Sequence, residues 1–159
     1  MLNNEAFRRI RYALELDDAT TVAIFAAGQY ECSQSDVDKF SKKEPDASSE
    51  VDVLSDELFS RFLNGLIVHR RGGTPPPVAT DELMNNNKTI KKLRIALELY
   101  EDEMSAIFDH AGIKLSGHKL SALFRTEGHK HYRECNDHML RQFLRGLATH
   151  NQRQKPSSE

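Results

Sequence analysis

Tryptophan is absent from this 159-residue chain, and cysteine occurs only twice, at Cys32 and Cys135. Two cysteines cannot supply the disulfide framework of a small secreted domain, so the composition indicates a reducing compartment. The chain also lacks an apolar run long enough to cross a bilayer and an apolar stretch near Met1 of the kind found in signal peptides. These absences predict a cytoplasmic protein that does not associate with membranes.

Strand-like patterning is missing as well, because no segment alternates apolar and polar side chains over the length of a strand. The aromatic residues are mainly phenylalanines at helical spacing, which is more typical of a core than of a binding surface. We therefore predict an all-α fold.

The chain has no excess of positive charge, with 22 Lys and Arg against 24 Asp and Glu. Its two halves differ, since residues 1–73 hold nine basic and thirteen acidic side chains, whereas residues 86–155 hold thirteen basic and eight acidic ones. The opposite charges could help the halves to dock, or the second half could face an anionic partner.

An internal duplication organises the sequence. Residues 3–44 align without a gap with residues 86–127, and FLNGL at 62–66 recurs as FLRGL at 143–147. The first copy carries two extra residues in a polar stretch after Glu44, which predicts a loop there. Similarity at such a long period indicates two copies of one folding unit.

Four segments follow from this alignment. Residues 1–71 form the first helical repeat, and 85–153 form the second. Residues 72–84 begin with two glycines and three prolines, so we expect an exposed linker. Residues 154–159 have little to bury and are predicted to fray.

Each copy is predicted to contain roughly four helices, and the two copies are predicted to pack about a pseudo-twofold axis. Apolar residues recur at helical spacing in both copies. Asn3-Asn4 and Asn86-Asn87 precede the first helix of each copy, where we expect them to act as caps. Ser33 and Ser116 are predicted to cap the third helix of each copy.

The longest helix of each copy contains a glycine, Gly65 or Gly146. Glycine inside a helix costs about 1 kcal/mol relative to alanine, which suggests that a neighbouring backbone comes close. We expect the two fourth helices to cross near these glycines at the interface between the copies. The residues predicted for this packing are Phe62, Gly65, Leu66, Phe143, Gly146 and Leu147.

A family resemblance rests on four stretches, namely NNN at 85–87, KKLR at 91–94, YREC at 132–135 and FLRGL at 143–147. With these the chain resembles the YehS-like bacterial proteins, classified as domain of unknown function family 1456, which carry two copies of this helical unit. The resemblance implies a bacterial, cytoplasmic protein. It brings no established activity, cofactor or catalytic residue.

The second and third helices of the second copy, joined near Gly112, are similar to a helix-turn-helix. Short helix pairs joined at glycine are also common in structural bundles. The side chains predicted to contact an anionic partner, in this element and on the preceding helix, are Lys91, Lys92, His118, Lys119 and Arg125.

A second candidate motif, H-x-H-x₃-C-x₂-H, is formed by His129, His131, Cys135 and His138, and its His and Cys side chains are of the types that bind zinc. The spacing matches no structural zinc module, and Cys135 lies on an apolar helical stripe, so burial explains it better. We predict no metal and no cofactor.

Catalytic signatures are also missing from the sequence. His69 and His150 match between the copies, but no nucleophile elbow, phosphate-binding glycine loop or paired-carboxylate motif accompanies them. We predict a non-enzymatic interaction or regulatory module, with an unidentified protein as the favoured partner. Nucleic-acid binding through the second repeat is the first alternative, and an enzyme of unrecognised class is the second.

Overall fold

The computed structural model describes residues 1–43 and 53–154, and all regular structure within them is helical. The first repeat contains α1 (Asn3–Leu14), α2 (Asp18–Ala27), α3 (Gln34–Phe40) and α4 (Asp56–Arg71). The second contains α5 (Asn86–Leu97), α6 (Glu101–His110), α7 (Gly117–Ala122) and α8 (Asp137–Gln154). The all-α prediction and the shared helix order of the two copies are confirmed. The extra residues predicted to form a loop after Glu44 lie outside the described residues.

Two kinds of helix boundary recur in both repeats. Ser33 and Ser116 cap α3 and α7 by accepting hydrogen bonds from the Asp36 and Lys119 amides, as predicted. Both α1 and α5 end at a glutamate in the left-handed conformation, with φ of 54° at Glu15 and 53° at Glu98. Local sequence thus sets these boundaries in the same way in both repeats.

The first and last helices of each repeat pack against helices of the other repeat. α1 of the first repeat packs mainly against α8 of the second, and α4 packs against α5 in the reciprocal contact. Within each repeat, α2 packs on α4 and α6 packs on α8. Buried apolar residues from both repeats form one continuous core, so neither copy has a separate core of its own.

The prediction that Gly65 and Gly146 lie at a crossing of the two fourth helices is wrong. A Cβ atom added at Gly65 would lie 1.9 Å from the Ile24 carbonyl oxygen, and one at Gly146 would lie 1.9 Å from the Ile107 carbonyl oxygen. These carbonyls belong to α2 and α6 of the same repeat, so the glycines serve packing within a copy rather than a crossing of α4 with α8.

The phenylalanines one turn before the glycines also contact aromatic rings of their own repeat. The Phe62 ring centroid lies 4.8 Å from that of Phe7 and 5.2 Å from that of Phe25. Phe143 contacts Phe108 at 5.3 Å between centroids. Leu66 and Leu147 are buried in the common core. α4 and α8 do contribute to the contact between the copies, but through α5 and α1.

The paired asparagines are not caps, which corrects a second prediction. α1 follows Leu2 without a side-chain cap, and α5 is capped by Asn85. Asn3 instead donates to the Leu54 carbonyl and the Asp56 carboxylate, at 3.0 and 2.7 Å. Asn86 donates to the Cys135 carbonyl and to Asp137, at 3.0 and 2.8 Å. These amides fix the start of the fourth helix against the first helix of the same repeat.

An ion pair joins the repeats across the α1–α8 contact. Arg141 donates two hydrogen bonds to the Glu5 carboxylate, at 2.7 and 3.1 Å, and Arg9 donates a third at 2.9 Å. The hydrogen bond from Arg141 is the main reason that the pKa of Glu5 falls to about 2. Partial burial of Glu5 acts in the opposite direction. Glu5 is therefore ionised throughout the neutral range and couples the two repeats electrostatically.

The Glu5 contact predicts a pH-dependent stability difference. Because the folded pKa is below the unfolded one, the contribution of Glu5 is fully present above about pH 4.5 and is lost as the pH falls toward 2. Glu5→Gln should lower the free energy of unfolding by about 1–2 kcal/mol at pH 7, allowing for the half-exposed Arg141. Urea denaturation at pH 7 and pH 3 should show that this difference shrinks at the lower pH. Glu134→Gln, at an exposed position, is the control, and a Glu5→Gln difference that stays constant with pH would contradict the assignment.

The connection between the repeats contains no helix from Gly72 to Met84. Gly72 and Gly73 have φ of 80° and 89°, and an added Cβ at either position would meet no atom within 4 Å. The far end of the connection is attached, since the Met84 amide donates to the Asp56 carboxylate at 3.0 Å. The pseudo-equivalent Asp137 accepts from the Met1 nitrogen at 2.8 Å.

Candidate anion-binding surface

The candidate site is a groove beside α7 in the second repeat. It has a volume of about 360 Å³. Its lining residues, which we call the cationic groove, are His118, Lys119, Ala122, Arg125, His131 and Arg133. No carboxylate is among these residues, so an anion in the groove would meet basic side chains from two segments of the chain.

Short-range sequence features orient the first wall of the groove. Ser116 caps α7 by accepting from the Lys119 amide at 3.2 Å, and Leu120 is buried in the core. Because Leu120 faces inward, His118 and Lys119 on the same turn remain exposed to solvent. Arg125 follows the helix and is also exposed.

The second wall is brought back to α7 by the chain that returns toward α8. The Arg133 amide donates to the Ala122 carbonyl at 3.0 Å. Buried Asn87 of α5 holds both segments, because its side-chain nitrogen donates to the Leu123 carbonyl at 3.0 Å and to the Arg133 carbonyl at 2.9 Å. Its side-chain oxygen accepts from the Cys135 amide at 2.9 Å. One buried amide therefore fixes the spacing of the two walls.

The five predicted anion contacts lie in three different places in the structure. His118, Lys119 and Arg125 lie together in the cationic groove. Lys91 lines an adjoining depression that shares Arg125. Lys92 does not belong to this surface, because its ammonium donates to the Asn64 side chain of α4 across the contact between the repeats. Burial lowers the pKa of Lys92, and this residue is a packing group rather than a surface cation.

Two groove residues, Arg133 and His131, were not predicted as anion contacts. Their positions depend on the return of the chain after α7, which a pattern of basic residues does not reveal. The residue that could have pointed to them is Asn87, which was predicted as a cap but is the second residue of α5, and whose amide has partners 36 and 46 positions away.

The helix-turn-helix interpretation meets a geometric limit. α7 has only six residues, about 9 Å of helix, and α6 and α7 are separated by residues 111–116. Gly112, with φ of 81°, lies in this connection. The cations of α7 therefore lie at a groove edge rather than along a long recognition helix.

The four residues of the metal motif have different surroundings in the structure. The His131 amide donates to the His129 ring nitrogen Nδ1 at 3.0 Å. Cys135 is 1% exposed, and burial is the main cause that raises the pKa of its thiol to about 12. His138 is exposed on α8. Within residues 1–43 and 53–154, no group of three or more His, Cys, Asp or Glu side chains is arranged to hold a metal ion.

The matched histidines do not occupy equivalent surroundings. The His150 ring lies 6.0 Å from that of His110 on α6, whereas the residue of α2 that corresponds to His110 is Ala27. His69 is exposed. The repeat symmetry therefore does not generate two copies of a histidine site.

Comparison with known proteins places this architecture in a family. The family model described as "Protein of unknown function (DUF1456)" matches residues 3–72 and 86–153, which are the two repeats. The chain belongs to this family. The chain is 37% identical to the uncharacterized protein YehS of Escherichia coli strain K12 over 150 residues, covering 93% of this chain and 95% of that protein. No solved structure matches the chain.

Among the described residues, no helix combines the length and the apolar composition that crossing a membrane requires.

Proposed function

We propose that this protein is a non-enzymatic interaction module that docks an acidic segment of a partner protein in the cationic groove. The observation that carries the proposal is the groove itself, which basic side chains from two chain segments line, with no carboxylate among the described residues that line it. Complementary charge would steer an acidic partner to this face and would fix its orientation. The excess of basic residues in the second repeat supports the same interpretation.

An acidic protein segment fits the groove better than a nucleic acid does. The chain as a whole is slightly acidic, with a formal charge of −2, and the first repeat carries most of the excess negative charge. A long phosphate backbone gains affinity from many cationic contacts along its length, whereas a short peptide need contact only the groove. The six-residue α7 also offers little helix to insert into a DNA groove.

Four titratable groups with shifted pKa values have structural explanations. Glu5 and Lys92 join the repeats through Arg141 and Asn64. Burial is the main cause that raises the thiol pKa values of Cys32 and Cys135, to about 11 and 12, so these cysteines are protonated and weakly nucleophilic near neutral pH. Each of these shifts has a packing or interface explanation that requires no reaction chemistry.

Fluorescence anisotropy tests the proposal directly. A labelled peptide of twelve residues rich in Asp and Glu should bind saturably at 150 mM salt, and labelled single-stranded and duplex DNA should bind more weakly. The double variant Lys119→Glu, Arg125→Glu should weaken peptide binding at least tenfold, because it places two carboxylates in the groove.

The matched control is Arg70→Glu with Arg153→Glu, which makes the same charge change at exposed positions outside the groove. This control should leave peptide affinity within about twofold of the parent. Equal losses in both double variants would mean non-specific attraction. Tighter binding of DNA than of peptide, with a steep salt dependence, would favour nucleic-acid recognition instead.

A further inference from the structure

A second basic concavity lies where the two repeats meet, between α1 and α8. It has a volume of about 400 Å³ and lies within the size range of small-molecule sites. The cationic side chains that line it are Arg8, Arg9, Lys43 and Arg145. Tyr12, Leu144 and Ala148 complete the lining. We call this concavity the seam pocket.

The described lining of the seam pocket is rich in positive charge. Four cationic side chains line it, and among residues 1–43 and 53–154 no carboxylate does. Arg9 is oriented by its 2.9 Å hydrogen bond to Glu5, which also binds Arg141. Arg145 is exposed on α8. Guanidinium groups converging from two helices can donate several hydrogen bonds to one phosphate.

The rest of the lining is apolar and aromatic. Leu144 is 2% exposed and Ala148 is half-buried against the core, so they offer a non-polar floor. Tyr12 is 73% exposed, which leaves a ring face available at the rim of the pocket. A ligand that combines a planar ring with an anionic group would use both parts of this surface.

The pseudo-equivalent surface between α4 and α5 is bridged by different residues. Lys92 and Asn64 occupy the positions of Arg9 and Arg145 and are hydrogen-bonded to each other. Arg71 crosses the same contact to reach the Ile95 carbonyl at 3.4 Å and Glu98 at 3.3 Å. Reciprocal helix packing alone therefore does not explain the seam pocket, which depends on residues that differ between the repeats.

We propose that the seam pocket binds a nucleoside phosphate, with the phosphate groups between the arginines and the base against Tyr12 and the apolar floor. Its walls come from α1 of one repeat and α8 of the other. A bound nucleotide would thus contact both repeats and stabilise their association by mass action. This site is separate from the cationic groove, so either assignment can fail without the other.

Solution NMR of the full chain tests the seam pocket, with ATP, inorganic phosphate and adenosine as the probes. ATP should produce saturable shifts at the amides of Tyr12, Leu144 and Ala148 and should raise the melting temperature. Phosphate and adenosine should bind more weakly, since each uses only one part of the site. Absence of saturable ATP binding, or ATP shifts confined to residues 118–133, would overturn the proposal.

Arg145→Asn is the discriminating variant, because it introduces the residue that Asn64 provides in the other repeat. Loss of a charged hydrogen-bond donor should weaken ATP binding about tenfold or more. Arg70→Asn makes the same charge change at an exposed position on α4 and should leave the affinity unchanged. Tyr12→Ser should weaken ATP and adenosine binding but not phosphate binding. Equal affinity of the parent and Arg145→Asn for ATP would reject the site.

Discussion

Gly146→Ala should lower the free energy of unfolding by about 3 kcal/mol, the upper part of the range for overpacked cores. The added Cβ would lie 1.9 Å from the Ile107 carbonyl oxygen and 2.9 Å from its carbonyl carbon. Both atoms belong to the backbone of α6, so the overlap can be relieved only by moving one helix away from the other. Urea denaturation followed by circular dichroism measures the change, and Gly146→Leu should have a larger effect in the same direction.

Gly117→Ala is the matched control because it also adds one methyl group within a helix. There the added Cβ would meet only the end of the Glu101 side chain, which can rotate away. Alanine is a better helix former than glycine, so Gly117→Ala should be neutral or stabilising by up to about 1 kcal/mol. Similar unfolding curves for the two alanine variants would reject the close approach of α8 to α6.

Asn87→Ala should lower the free energy of unfolding by about 3–5 kcal/mol, because each buried group left unsatisfied costs about 1–3 kcal/mol. The side chain is 9% exposed and bonds to the Leu123 carbonyl, the Arg133 carbonyl and the Cys135 amide. The same variant should weaken binding to an acidic peptide, since Asn87 holds the two walls of the cationic groove together.

Asn85→Ala is the control for this experiment, with the same change two residues earlier. Asn85 caps α5 by accepting from the Lys88 amide at 2.8 Å, so its loss should cost only about 1 kcal/mol. Peptide affinity should remain close to that of the parent. If Asn85→Ala and Asn87→Ala prove equally stable, the clamping role of Asn87 is contradicted.

Helix order and the caps of α3 and α7 could be predicted because they depend on residues close together in the chain. Ser33 and Ser116 each cap an amide three positions ahead, a relation that sequence shows directly. The roles of the asparagines and glycines could not be predicted in the same way. Asn4 and Asn87 bond to groups 36 to 50 positions away, and Gly146 faces a carbonyl 39 positions back.

The candidate site also combines residues that are close in sequence with residues that meet only in the folded chain. His118, Lys119 and Arg125 are close in sequence, so their clustering could be predicted from α7 and the residues that follow it. Arg133 joins them only through the hydrogen bonds that return the chain to Ala122 and Asn87. The seam pocket was not predicted, because Arg8 and Arg145 come from different repeats and meet only after α1 packs on α8. A local charge pattern does not reveal which helices of the two copies pack against each other.

Affinity capture from native lysate tests the central claim most directly, with the tagged full chain and the Lys119→Glu, Arg125→Glu variant compared side by side. We predict that the parent retains a protein with an acidic segment, that nuclease treatment leaves this partner bound, and that the double variant loses it while the Arg70→Glu, Arg153→Glu control does not. Retention of nucleic acid that nuclease abolishes, or a partner bound equally by the parent and the groove variant, would contradict the account.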